Sequence, residues 1–231
     1  NSRARTIAKK QSTDSLYTKS EHSGTTLEDT DRVGTTSAFV DTNVAINANN
    51  LTVNAKNTDN ITLETLGVAI GAVGIGVSIA VSDNDTTTNA FIQNNANINV
   101  NNLTLKAESS DTQRIKTTAA AGGIVGGSGS SSHINSNKTT NTYINKQTTI
   151  QSVKDMLITA ISKSDLRTNA VAGAGGGVAV GVSVAHITDG GSTRIDIGED
   201  VSLTSQEGNI VIKTDADEYA FSEANAATGS L

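Results

Sequence analysis

The amino-acid sequence predicts an all-β chain, a parallel β-solenoid coiled as a right-handed β-helix from repeats of about 52 residues. Three observations predict it: an internal repeat, period-two alternation inside each copy, and a composition suited to strands stacked on their own kind. Residues 38–55 (AFVDTNVAINANNLTVNA) and 90–107 (AFIQNNANINVNNLTLKA) share ten identities in 18 positions at an offset of 52. A third copy begins at Thr142 with one inserted residue near Lys154, and a weaker fourth begins near Ile195. The chain therefore divides into a partial unit (1–37), three full units (38–89, 90–141, 142–194) and a partial fourth (195–231).

Taken in order, residues 1–37 read as the tail of a preceding unit (Ile7 to Ser12), lacking the Gly-rich run and a few residues shorter. Basic residues Arg3, Arg5, Lys9 and Lys10 are followed by no apolar stretch, so a secretory signal is not read here, and the whole reads as a piece of a longer protein. Each unit then opens on two alternating strings, Val44-Ile46-Ala48 and Leu51-Val53-Ala55, separated by Asn49-Asn50. This pattern predicts short strands joined by a tight turn, because Asn tolerates the left-handed backbone such turns need.

The second half of each unit is a Gly/Ala/Val run: 66–81, 118–133 and 171–186, with Gly71, Gly123 and Gly176 in equivalent positions. Val73, Ile75, Val77, Ile79 and Val81 share one face, while Gly74, Gly76, Ser78 and Ala80 share the other. The β-branched face suits a strand, and the small face suits close approach of another sheet. A phosphate-binding glycine loop would need a following helix and a Lys, and neither follows. Asp155–Lys163 has some helical character, but its alignment with strand strings in the other copies overrides it. The unit is expected to split into two rungs of about 26 residues, Asn-rich (35–60) and Gly-rich (61–88), with one very wide, flat rung per unit as the alternative. The split would give about nine rungs and a rod ~40 Å long.

Composition agrees. Thr (32) and Asn (23) together supply almost a quarter of the 231 residues, and Pro, Cys and Trp are absent. Stacked equivalents would repel if charged but can form ladders if they are Asn or Thr, and a central strand cannot spare the N–H that Pro lacks. A net charge of −6 with 3% aromatics argues against nucleic acid as a partner. Without Cys there are no disulfides or thiolate metal sites.

The cadence of Ala-Phe/Tyr-Ile, then Ile-Asn-x-Asn-Asn-Leu-Thr-Leu-x-Ala, then Ala-Gly-Gly-x-x-x-Gly-x-Ser resembles the repeats of large bacterial surface proteins. It is most similar to the fusobacterial leukotoxin and filamentous-adhesin family, over residues 38–231. The resemblance implies a β-helical shaft of a secreted or surface-exposed Gram-negative protein, exported through an outer-membrane partner or barrel and used to bind or intoxicate host cells. The absence of Cys fits such an export route.

Residue chemistry adds no catalytic, cofactor-binding or metal-ligating assignment. His133 and His186 are equivalent, but two rungs per unit would hold them ~10 Å apart with no third ligand. His22 stands alone in a polar stretch. Asp83-Asn84-Asp85 and Asp215-Ala216-Asp217-Glu218 read as acidic loops lacking a complete calcium pattern. A carbohydrate-active β-helix would need carboxylates converging on one face, whereas here they scatter along the sequence. Five Asn-x-Thr sequons (Asn50, Asn60, Asn84, Asn102, Asn137) follow from composition, and the Thr clusters 86–88 and 139–140 form no regular Thr-x-Thr column. The expected function is a non-enzymatic host-cell-binding rod. A carbohydrate-active enzyme and an inert structural shaft are the alternatives.

Overall fold

The computed structural model describes residues 11–23 and 25–230, with side-chain environments from residue 33 onward. The reading of Ile7 to Lys10 as a unit's tail lies outside the described residues. Nine strands account for most of the chain, with no helix among the described residues. They are β1 (Gln11–Ser23), β2 (Thr25–Val40), β3 (Ala45–Ile70), β4 (Val73–Ile92), β5 (Asn97–Ile144), β6 (Thr149–Ser152), β7 (Met156–Ile197), β8 (Ser202–Ser205) and β9 (Ile210–Ser230). Among the described residues every strand pairing is parallel. The result is an all-β chain with a parallel sheet consistent with a β-solenoid. Asp155–Lys163 is strand from Met156 onward, as its alignment required.

Register settles what stacks on what. Phe39 pairs with Phe91 and Leu51 with Leu103, each 52 residues on, while Leu103 pairs with Met156, 53 on. Each residue thus bonds to its equivalent one whole unit away, so the two-rung expectation fails: a unit is a single wide rung. The physical reason lies in the columns. Placing the Asn-rich half on the Gly-rich half would set Leu and Ile against Gly, whereas like on like keeps both the apolar columns and the Asn ladders intact. At the ~4.8 Å spacing of paired strands, the stack is about half as tall as two rungs per unit would make it. The shift from 52 to 53 falls between Ser152 and Met156, where the sequence places the insertion.

Each rung doubles back. In the first full rung, an outgoing arm to Ile70 and a returning arm from Val73 face one another across a narrow interior. Thr65 Oγ1 meets Ser78 Oγ at 2.6 Å, and one rung on Thr117 meets Ser130 at 2.7 Å. The outer corner between rungs carries Asn43, Asn95, Gln147 and Asp200 in register, all at φ near 57–58°. Asn43 and Asn95 explain the choice of Asn there, since it visits that region at little cost. The Asn49-Asn50 pair is not a break, because β3 runs through it. It is a corner at which the inward phase changes: Ile98 and Val100 are buried before the equivalent pair, Leu103 and Leu105 after it.

The interior is zoned along the arms. The base holds an apolar cluster including Val53, Ile92, Ile98, Leu103, Leu105, Ile144 and Ile158. A second, smaller cluster joins Ile61, Leu63, Ile115, Ile134 and Leu166. Between them lies a polar layer of Asn57, Asp59, Asn84, Thr86, Ser109, Asp111, Ser136 and Lys138, each at most 5% exposed. Beyond the second cluster the arms close to backbone contact. A Cβ on Gly76 would lie 2.3 Å from the Ala120 carbonyl oxygen, so only Gly fits. The preceding rung lacks this tip: its offset from the next is 45 in β1 and 52 in β2, a bend seven residues shorter.

Candidate functional site

Because side chains of a strand alternate, each arm offers one outward face, and the register turns that face into vertical columns. On the returning arm the columns change character from base to tip. Nearest the base, Phe39, Phe91 and Tyr143 stack as parallel rings, with centroids 5.0 and 4.5 Å apart and planes within 6°. Burial beneath its neighbours raises the Tyr143 phenol above its ordinary range. Beside them Asn141 donates to Asn89 at 3.2 Å, and Asn145 donates to Gln93 at 2.9 Å. A shallow groove of about 420 Å³ runs past Asn89, Asn141, Tyr143, Arg194 and Asp196.

Further along, Asp83 and Asp85 project outward from β4 with Asn84 inward, so this acidic string is strand and not loop. Asn135 donates to Asp83 at 2.6 Å, which turns the Asn135 carbonyl oxygen toward His133 and makes His133 Nε2 the donor across 2.9 Å. His133 and His186 stack at 4.9 Å with planes 17° apart, half the separation expected from two rungs per unit. His22 occupies the register position beside Gly67 in β1. Asp215, Asp217 and Glu218 also lie in a strand, β9, where Asp215 accepts from Lys213 at 2.9 Å. Of the sequons, Asn84 is buried and Asn102 donates to Asn50 at 2.8 Å. Thr86 and Thr88 point inward and Thr87 outward, where register stacks it between Thr35 and Thr139 in a single outward Thr column. Toward the tip the outward columns are Val73, Ile75, Val125, Val178 and Val180, which are largely exposed.

The outgoing arm is charged outside. Lys56 and Lys106 both reach Glu108, at 3.2 and 2.6 Å, and Arg114 and Arg167 share Asp165 at 2.9 and 2.7 Å. Arg167 also lies over the Tyr219 ring at 5.0 Å. A groove of about 330 Å³ is lined by Glu64, Arg114, Lys116, Arg167 and Phe221. The Asp165 carboxyl is held below its ordinary pKa chiefly by the Arg167 hydrogen bond, and that of Glu108 chiefly by the Lys106 hydrogen bond. For Glu108, a lowered folded pKa means its contribution to stability is complete above the unfolded carboxylate value. That contribution is lost as pH falls through the lowered folded value. Partly exposed pairs contribute about 0–1 kcal/mol. Glu108→Gln should therefore lose up to ~1 kcal/mol at neutral pH and match the unsubstituted chain in strong acid. Urea unfolding across pH checks this, and an equal deficit at both ends would refute it.

Sequence reasoning missed the interior polar layer. Lys138 is 3% exposed, its ammonium donating to Ser164 Oγ at 2.9 Å and pairing with Asp189 Oδ1 at 3.3 Å. Ser164 in turn donates to Asp189 Oδ2 at 2.6 Å. Asp111 accepts from Gln113 and Ser136 through one oxygen. The signal was present: Asp59 and Asp111 fall on the same alternation phase as Leu51, Val53 and Leu63 and so must face inward. Among the described residues no group of three or more His, Asp or Glu is placed to hold a metal ion, and no helix is long and apolar enough to cross a membrane.

Comparison with known proteins finds no match: no family model, no curated protein and no solved structure is similar to this chain.

Proposed function

We propose that this chain is a segment of a right-handed β-solenoid shaft from a secreted or surface-exposed Gram-negative adhesin or toxin, and that its outer columns meet the host-cell surface. The observation supporting this reading most is the unbroken parallel register from β1 to β9, in which every unit repeats the same outward columns one rung higher. Such a stack lengthens by simple repetition and multiplies any weak surface contact along its axis. Asn ladders, a stacked aromatic column and paired charges on the outside are groups that recognise polar cell-surface ligands without enclosing them. Export through an outer-membrane partner suits a Cys-free chain whose rungs each fold onto the last.

The test is binding of fluorescently labelled chain to leukocytes and epithelial cells. Saturable binding that unlabelled chain competes away is expected. Binding that rises linearly with concentration and resists competition would leave the shaft reading and remove the host-binding one.

A further inference from the structure

We propose that Lys138 and Asp189 join in an intramolecular isopeptide bond, formed by the folded chain itself, that ties one rung covalently to the next. Lys138 lies on the returning arm of one full rung and Asp189 on the returning arm of the rung above. The Lys138 and Asp189 side chains are 2% and 12% exposed, and Nζ lies 3.3 Å from Oδ1. The pair sits in the polar layer between the two apolar clusters. A buried ion pair is costly in such surroundings, and neutralising it by proton transfer removes that cost.

Ser164 touches both reacting groups and supplies the path. Its Oγ accepts from Lys138 Nζ at 2.9 Å while its hydroxyl donates to Asp189 Oδ2 at 2.6 Å. Passing one proton along this chain converts ammonium and carboxylate into neutral amine and carboxylic acid, with the acid proton on Oδ2. The Nζ lone pair then attacks Cγ, forming the C–N bond and a tetrahedral centre. The Oδ2 hydroxyl departs with a second proton from nitrogen, as water, leaving Oδ1 as the amide carbonyl. The balance is ammonium plus carboxylate giving secondary amide plus one water, with no oxidant, reductant or cofactor. The fixed approach of amine to acid supplies the proximity the reaction needs, and Ser164 acts as the proton relay.

Gly191, paired with Lys138 in register, lets the two backbones approach closely at the pair: a Cβ there would run into the Lys138 carbonyl group, and its φ of +118° suits Gly. The bond would lock β5 to β7 where the interior is polar and so least held by apolar packing.

Intact-mass measurement and peptide mapping of the purified, folded chain test this. The expected mass is one water below that of the sequence, with a branched peptide linking Lys138 to Asp189. Lys138→Arg and Asp189→Ala should both restore the full sequence mass. Asp189→Asn should give the same branched peptide by losing ammonia, and Ser164→Ala should slow the appearance of the branch at least tenfold. A full sequence mass after prolonged incubation would overturn the proposal. So would loss of water confined to a succinimide at Asp189-Gly190 with the Lys138 peptide unlinked.

Discussion

Gly76→Val is expected to unfold the tip and lower stability by about 3 kcal/mol or more, since overpacking against atoms that cannot move exceeds the usual cost of an extra methylene or two. The first added atom, Cβ, would already lie 2.3 Å from the Ala120 carbonyl oxygen and 3.2 Å from that of Gly67, both backbone. These carbonyls belong to strands paired in the same sheet, so neither can retreat without breaking ladder bonds. Gly129→Val is the matched control: it faces outward, and a Cβ there meets nothing within 4 Å. Its effect should stay within about 0.5 kcal/mol. Urea denaturation of both variants checks the pair, and equal midpoints would mean that the two arms do not approach as described.

Leu105→Ala should cost about 2–5 kcal/mol by opening a cavity in the base cluster. Leu105 is 0% exposed and lies in register between Val53 below and Ile158 above. Those neighbours are held one rung away by backbone hydrogen bonds, so the column cannot collapse into the vacancy. Leu157→Ala, one position out of phase and 39% exposed, should change stability by no more than about 0.5 kcal/mol. Thermal or chemical unfolding distinguishes them, and a comparable loss from both would show that alternation does not set the interior.

Much of the architecture was legible because a repeat carries its own alignment. Phe39 beneath Phe91, His133 beneath His186 and Asn50 beneath Asn102 all follow once equivalent residues stack. The number of rungs per unit was not legible, since a 52-residue string that alternates throughout can fold at its middle either into two rungs or into two facing arms. Cross-arm pairs such as Thr65–Ser78 decide for facing arms, and they depend on contacts 13 residues apart that no periodicity reports. The acidic strings were misread for a related reason: Asp83-Asn84-Asp85 has loop composition, but ladder bonds on both sides hold it in a strand.

The sequence by itself determined that the chain is β, that its units are equivalent, and which side of each strand faces in, because alternation and repetition are local properties of the string. Only the tertiary structure decided how closely the two arms approach and which polar groups become sealed between them. Gly76 is confined and Lys138 is set beside Asp189 by residues brought together across rungs, and such distances arise from packing in three dimensions.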